Sequence, residues 1–118
     1  MIDAAVIGLG RWGKNIVESV QGKSQRLRFI RGVSKEPELV ADFAAAKGFE
    51  LSTDFEQAVA DPRVQAVFLA TPHSLHVQQI SHVASAGKPV WCEKPLALTR
   101  SEAARAVAAT QKAGVPFA

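Results

Sequence analysis

The feature that most constrains this chain is an alternation of segment types. Short apolar runs of strand character take turns with longer stretches whose apolar residues recur at helical spacing, and glycine or proline separates many of them. Residues 4–8 (AAVIG) form an apolar run ending in glycine. Residues 11–21 read as a helix with Ile16, Val17 and Val20 on one face. Residues 27–33 (LRFIRGV) read as a strand with Leu27, Phe29 and Val33 on one side. Pro37 suits the first turn of a helix, where its missing N–H costs nothing. That helix runs to about Lys47 and stops at Gly48, a C-terminal glycine signal.

The alternation continues to the last residue. Residues 49–51 (FEL) make a brief strand, and Thr53 and Glu56 are spaced as a capping box for a short helix to Ala60, broken by Asp61-Pro62. Residues 65–71 (QAVFLAT) are nearly continuous in apolar residues, the mark of a strand buried on both faces. Residues 74–86 predict a helix with Val77, Ile80, Val83 and Ala84 facing inward and Gly87 ending it. Residues 89–92 (PVWC) form the next strand. Thr99 and Glu102 make a second capping box for an alanine-rich helix that ends at Gly114. Val115 to Ala118 read as the start of a sixth strand, so the chain is expected to be a fragment that stops inside it. Strands and helices alternating at this spacing predict a doubly wound α/β fold, a parallel sheet with helices on both faces, as one domain over residues 1–118.

Composition narrows the function classes. With 118 residues, 47% apolar and 21% charged, the chain suits one globular domain and excludes disorder and a coiled coil. A single cysteine, Cys92, excludes a disulfide framework within the chain and a multi-cysteine zinc site. Gly8, Gly10 and Arg11 interrupt the N-terminal apolar stretch, so no leader is expected and a reducing cytoplasm is the default compartment. No run approaches the roughly 18 apolar residues of a membrane span. The net charge of +3 is scattered, apart from a basic stretch at Lys23 to Arg31. A nucleic-acid groove would interleave aromatics with those charges, but the chain has no Tyr and its Phe residues sit in apolar periods.

Gly8, Gly10 and Gly13 spell G-L-G-R-W-G between the first strand and the first helix. That context gives the motif its weight. The first glycine permits the tight turn, the second lets the backbone approach a diphosphate, and the third lets the helix pack on the strand. The amides around Arg11 and Trp12 then lie at the positive end of a helix dipole. In dinucleotide-binding sheets a carboxylate about 20 residues further on accepts hydrogen bonds from the adenosine ribose. Here Ser34 and Lys35 stand at the end of the second strand. A hydroxyl and a cation favour a ribose 2′-phosphate, hence NADP with NAD as the alternative. The plainer reading is that Ser34 turns the chain and Lys35 is solvated.

Residues 70–76 read A-T-P-H-S-L-H at the end of the fourth strand, and residues 93–95 read E-K-P at the end of the fifth. Strand carboxyl ends are where open α/β sheets bind ligands. GLGRWG, ATPHSLH and CEKPLALT, in this order and spacing, resemble the N-terminal Rossmann-like domain of the glucose–fructose oxidoreductase, inositol dehydrogenase and rhizopine-catabolism (Gfo/Idh/MocA) family over the whole chain. The resemblance implies a sheet order of 3-2-1-4-5-6. It makes Lys94 the catalytic residue, beside the nicotinamide and the substrate, where one positive charge stabilises a developing alkoxide. It places Ala70, Thr71, Pro72, His76 and Glu93 with Lys94 among the cofactor residues. His73 stands where the family often has Asn, which leaves a side-chain contact there in doubt.

Other readings of the same residues are structural. His73 and His76, with no third ligand nearby, make a poor metal site, and none is expected. Cys92 reads as a small buried hydrophobe rather than a nucleophile. Trp12 either lines the site or fills the core, and Trp91 reads as core. The resemblance implies an NAD(P)-dependent oxidoreductase acting on a sugar, cyclitol or related polyol, homo-oligomeric in full length. It also implies a second domain, absent from this chain, that holds the substrate and a proton-transferring histidine. The alternatives are a non-catalytic dinucleotide sensor and a protein-interaction domain on the same sheet, and fold alone does not separate them.

Overall fold

A computed structural model describes residues 1–118. Five strands, β1 (Ile2–Ile7), β2 (Leu27–Val33), β3 (Glu50–Ser52), β4 (Ala66–Leu69) and β5 (Val90–Cys92), form one parallel sheet. Its order is β3-β2-β1-β4-β5. The connections are α1 (Arg11–Val20), α2 (Pro37–Lys47), α3 (Phe55–Ala60) and α4 (His76–Ser85), with α5 (Arg100–Ala113) after β5. Beyond α5, Phe117 bridges in parallel to Val90. Cys92 N–H donates to Ala118 O at 2.9 Å, so the expected sixth strand begins beside β5.

Both faces of the sheet are covered, and β1 shows why its sequence is apolar throughout. Ala4 and Val6 point into a core shared with Val17 of α1 and Val40 and Ala44 of α2. Ala5 and Ile7 point into the other core, with Ala58 and Val59 of α3, Ile80 and Val83 of α4, and Ala106 of α5. Strict alternation of side-chain direction therefore serves two cores with one strand. No helix is long and apolar enough to cross a membrane.

Three local expectations are corrected. Leu27 and Phe29 share one face of β2, but Val33 lies on the other, because the register with β1 shifts between Ala4 and Ala5 and the extra residue Ile30 reverses the alternation. The cap of α3 is Asp54 rather than Thr53, its carboxylate accepting Gln57 N–H at 3.1 Å. The helix expected over residues 74–86 opens with a 3-10 turn, His73–Leu75, before the α-helix at His76. Thr99 does cap α5, accepting Glu102 N–H at 3.2 Å.

A charge cluster fastens the edge of the sheet. Asp61 receives Arg31 at 3.0 Å and Arg63 at 2.9 Å, and Glu50 of β3 receives both arginines at 3.2 Å. Lys88 adds its ammonium to the Val59 and Asp61 carbonyls. The Arg63 guanidinium, with its backbone N–H, holds the Asp61 carboxyl far below the usual carboxylate range. A carboxyl lowered on folding stabilises the fold above its unfolded pKa, near pH 4, and that contribution is lost as pH falls towards its folded value. Urea unfolding followed from about pH 5 to about pH 2 should therefore show a steep loss of stability in the wild type. Asp61→Asn should be less stable at neutral pH and lose less on acidification. Parallel profiles for the two proteins would refute this role.

Candidate functional site

The carboxyl edge of the sheet is held by one hydrogen bond at four of its five strand exits. Gly8 N–H donates to Val33 O at 2.9 Å, Ala70 N–H to Ile7 O at 2.8 Å, Glu93 N–H to Leu69 O at 2.9 Å and Ser34 N–H to Ser52 O at 3.0 Å. These bonds extend the sheet pairing by one residue into each loop. The first residue of the glycine loop, of the Ser34 loop, of A-T-P-H-S-L-H and of E-K-P each has a fixed starting point.

The turn from β1 into α1 is tight for a measurable reason. Gly8 has φ of +92°, and a Cβ there would lie 2.7 Å from Ala70 O. A Cβ on Gly13 would lie 1.9 Å from Gly8 O, so only glycine lets the first turn of α1 rest on the end of β1. Gly10 differs, because a Cβ there meets nothing within 4 Å. Gly10 is also the N-cap of α1, with no side chain capping the helix and no acidic residue in its first turn. The helical ladder begins at Lys14 N–H to Gly10 O, leaving the amides of Arg11, Trp12 and Gly13 without helical partners. The result is a bare helix N-terminus facing an open approach, suited to an anion.

Beside it lies a cavity of about 350 Å³. Gly8, Gly10, Ser34, Lys35, Ala70, Thr71 and Pro72 line it, which brings the glycine loop, the end of β2 and the end of β4 to one place. Ser34 combines two expectations: its hydroxyl oxygen accepts Glu36 N–H at 3.2 Å and turns the chain, while the residue still lines the cavity. A larger hollow, near 530 Å³, opens at the opposite edge around Gln21 and Lys47. There the Gln21 amide already bonds to Phe29 and Lys47 backbone, so little unsatisfied polarity is offered.

The remaining expected residues stand around the cavity rather than in its wall. Arg11 and Trp12 are exposed on the first turn of α1, the guanidinium stacked 5.5 Å from the indole centroid, so Trp12 does not fill the core. Gly13 is buried beneath them. Glu93 is half-buried and Lys94 exposed on the next loop, with the Glu93 carboxylate accepting Lys94 N–H at 3.1 Å. His76 needs correction as a cofactor contact: it is only 1% exposed, and both ring nitrogens already face carbonyl oxygens. Burial pushes the Cys92 thiol up to about 12, with Glu93 adding to the shift, so it is no ready nucleophile. Trp91 is half-buried and stacks on Phe68 with centroids 5.4 Å apart.

Sequence reasoning missed Thr53, Phe55, Leu75 and Gln79, which complete the cavity wall. A usable signal exists for Gln79. It lies three residues beyond His76 on α4, hence on the same helix face. Its amide oxygen accepts the Thr71 hydroxyl at 2.5 Å. Thr53 and Phe55 follow β3, where strand exits collect, but nothing in their residue types marks them.

The different fates of the glycines give a prediction. Gly13→Ala should fail to fold or lose more than about 3 kcal/mol, since overpacking alone costs about 1–3 kcal/mol and here the neighbour is rigid backbone. Gly10→Ala should melt within about 2 °C of wild type, yet bind dinucleotide at least about tenfold more weakly if the added methyl meets the expected diphosphate. Thermal melts and fluorescence titration with NADPH check both. Unimpaired binding by Gly10→Ala would show that the anion lies elsewhere.

Comparison with known proteins agrees with this geometry. The Gfo/Idh/MocA family, described as an oxidoreductase family with an NAD-binding Rossmann fold, matches residues 2–118. The 1,5-anhydro-D-fructose reductase of Ensifer adhaerens is 42% identical over 84 residues, 70% of this chain and 25% of that protein. The inositol 2-dehydrogenase of Rhodococcus jostii is 35% identical over 96 residues, 78% of this chain and 25% of that protein. The scyllo-inositol dehydrogenase of Lactobacillus casei, solved with NAD(H) and scyllo-inositol, superposes with a TM-score of 0.91 at 28% identity, over 99% of this chain and 35% of the enzyme. The chain thus spans a third or less of the length of the curated relatives it matches.

Proposed function

Because the chain belongs to the Gfo/Idh/MocA oxidoreductase family, we propose that it is the dinucleotide-binding part of an enzyme that moves a hydride between a nicotinamide cofactor and a hydroxyl-bearing carbon of a sugar, cyclitol or related polyol. One observation carries this reading: the uncapped N-terminus of α1 and the cavity lined by Gly8, Gly10, Ser34, Lys35 and Thr71 lie together at the carboxyl edge of the sheet. Gly10 fits the group, since its missing Cβ leaves open space at the point where a diphosphate approaches.

The bound nicotinamide supplies the hydride chemistry. The chain supplies binding and charge. The Arg11, Trp12 and Gly13 amides hold the diphosphate, and Ala70, Thr71 and Pro72 bound the cavity on the β4 side. Lys94 is exposed on the E-K-P loop and takes part in no ion pair, so its ammonium is free to polarise the substrate oxygen. Glu93 stands beside it at the β5 exit.

For the cofactor we favour NADP over NAD. The cavity presents the Ser34 hydroxyl and Lys35 where an NAD site presents a carboxylate. One or two charge-assisted hydrogen bonds to a 2′-phosphate, at roughly 1.5–3 kcal/mol each, correspond to about a tenfold or greater preference. Titration of the chain with NADPH and NADH tests both levels of the proposal. Binding of neither would reject the dinucleotide reading, and equal affinities would reject the preference alone. Ser34→Asp should reverse the order by accepting the ribose hydroxyls and repelling the phosphate.

A further inference from the structure

His76 lies outside the cavity wall yet touches both loops that the proposed chemistry needs. It is 1% exposed, at the first position of α4. Its Nε2 lies 2.8 Å from Thr71 O, in the loop that follows β4. Its Nδ1 lies 3.0 Å from Pro95 O and 3.1 Å from Leu96 O, the two carbonyls directly after Lys94. All three partners are acceptors, so the ring can bond to a loop only from a nitrogen that carries hydrogen. The ring thus sits between the two loops, donating to one from its N–H and packing its other edge against the carbonyl of the second. No other side chain hydrogen-bonds to both of these segments. Gln79, one turn further along α4, takes the Thr71 hydroxyl and so holds the same residue from a second side.

The loop after Lys94 has few other restraints. Glu93 N–H is tied to Leu69 O at one end, and Leu98 N–H reaches Glu102 at 3.4 Å at the other. Between them the carbonyls of Pro95 and Leu96 meet only the His76 ring among the side chains.

We propose that His76 is a positioning residue: a strap that fixes the backbone under Lys94 relative to the Thr71 wall of the cavity. Its effect on the reaction is exerted through Lys94. That functional consequence rests on the dinucleotide reading above, whereas the strap itself is a property of the ligand-free chain.

Two substitutions cut the strap at different ends. The Asn amide nitrogen stands near the position of histidine Nδ1, and the Gln amide nitrogen near that of Nε2. His76→Gln therefore keeps a donor for Thr71 O and frees the Lys94 loop, and His76→Asn does the reverse. Amide hydrogen exchange of the 118-residue chain, read by NMR, follows the loop at Lys94 and Leu98 and the core at Val6 and Ile7. In His76→Gln the loop amides should exchange about tenfold faster with the core unchanged, and NADPH affinity should stay within about twofold. In His76→Asn the loop should stay protected while NADPH binds about fivefold more weakly. In wild type, the ring N–H of His76 should be in slow exchange with water, an observation that needs no variant to fold.

Identical behaviour of Asn and Gln, or equal loss of protection in core and loop, would make His76 a core residue only and overturn the strap. A fast-exchanging ring N–H in wild type would overturn it as well. Failure of the wild type to bind NADPH or NADH would sink the proposed function instead, and the exchange results would still decide the strap.

Discussion

The whole arrangement depends on one close approach, that of Gly13 to the end of β1. A single methyl on Gly13 would sit 1.9 Å from Gly8 O, and one on Gly8 would press on Ala70 O at 2.7 Å. Three backbones, those of β1, α1 and the loop after β4, therefore meet at a point with no room for a side chain. Because they meet there, α1 starts directly over the sheet edge and its first amides face outward. The tight contact and the bare helix end are two sides of the same geometry. Close packing at Gly8 and Gly13 leaves the adjacent Gly10 free for a ligand.

The strand order turns this point into a cavity. β1 is central, its neighbours being β2 on one side and β4 on the other. The chain leaves β1 for α1 on one face and leaves β4 for α4 on the opposite face, so the two exits diverge and a crevice opens between them. The strand-exit hydrogen bonds keep each loop in step with the next. Variable chemistry can then sit on loops whose origins do not move, the usual division between a rigid scaffold and a functional edge.

Much of this was legible because the relevant signals are local. Pro37 at a helix start and Thr99 as the cap of α5 depend on a few adjacent residues and appear as read, although the Glu102 carboxylate accepts Leu98 N–H rather than closing the box on Thr99. The motifs G-L-G-R-W-G and A-T-P-H-S-L-H were placed at the edge because a strand precedes them. The failures are also informative. Thr53 and Asp54 are both competent caps, and their residue types do not decide which aligns with the first free amide. Ile30 is an ordinary strand residue, and its bulge arises only from pairing with β1, a partner some 25 residues away in sequence. The family resemblance places His76 among the cofactor residues, at the end of A-T-P-H-S-L-H on the first turn of α4. Its actual partners, Pro95 and Leu96, come from the next strand exit, a relation that periodicity does not encode.

This last case bears on how an exposed lysine could serve the role proposed for Lys94. Lys94 is solvent-exposed, and a lysine side chain alone has four flexible bonds, which would leave its ammonium poorly placed. Precision must come from beneath it. Glu93 is fixed to β4, Thr99 starts α5 with a firm cap, and the carbonyls between them meet a buried ring rooted in α4. The backbone that carries the lysine is thereby restrained while the side chain stays free to meet a substrate. Orientation of reacting groups contributes several kcal/mol to reactions of this kind, provided the groups are held in place before they react. Here the holding is done by backbone acceptors and one buried imidazole, and the ammonium for which a role on the substrate is proposed is left at the surface.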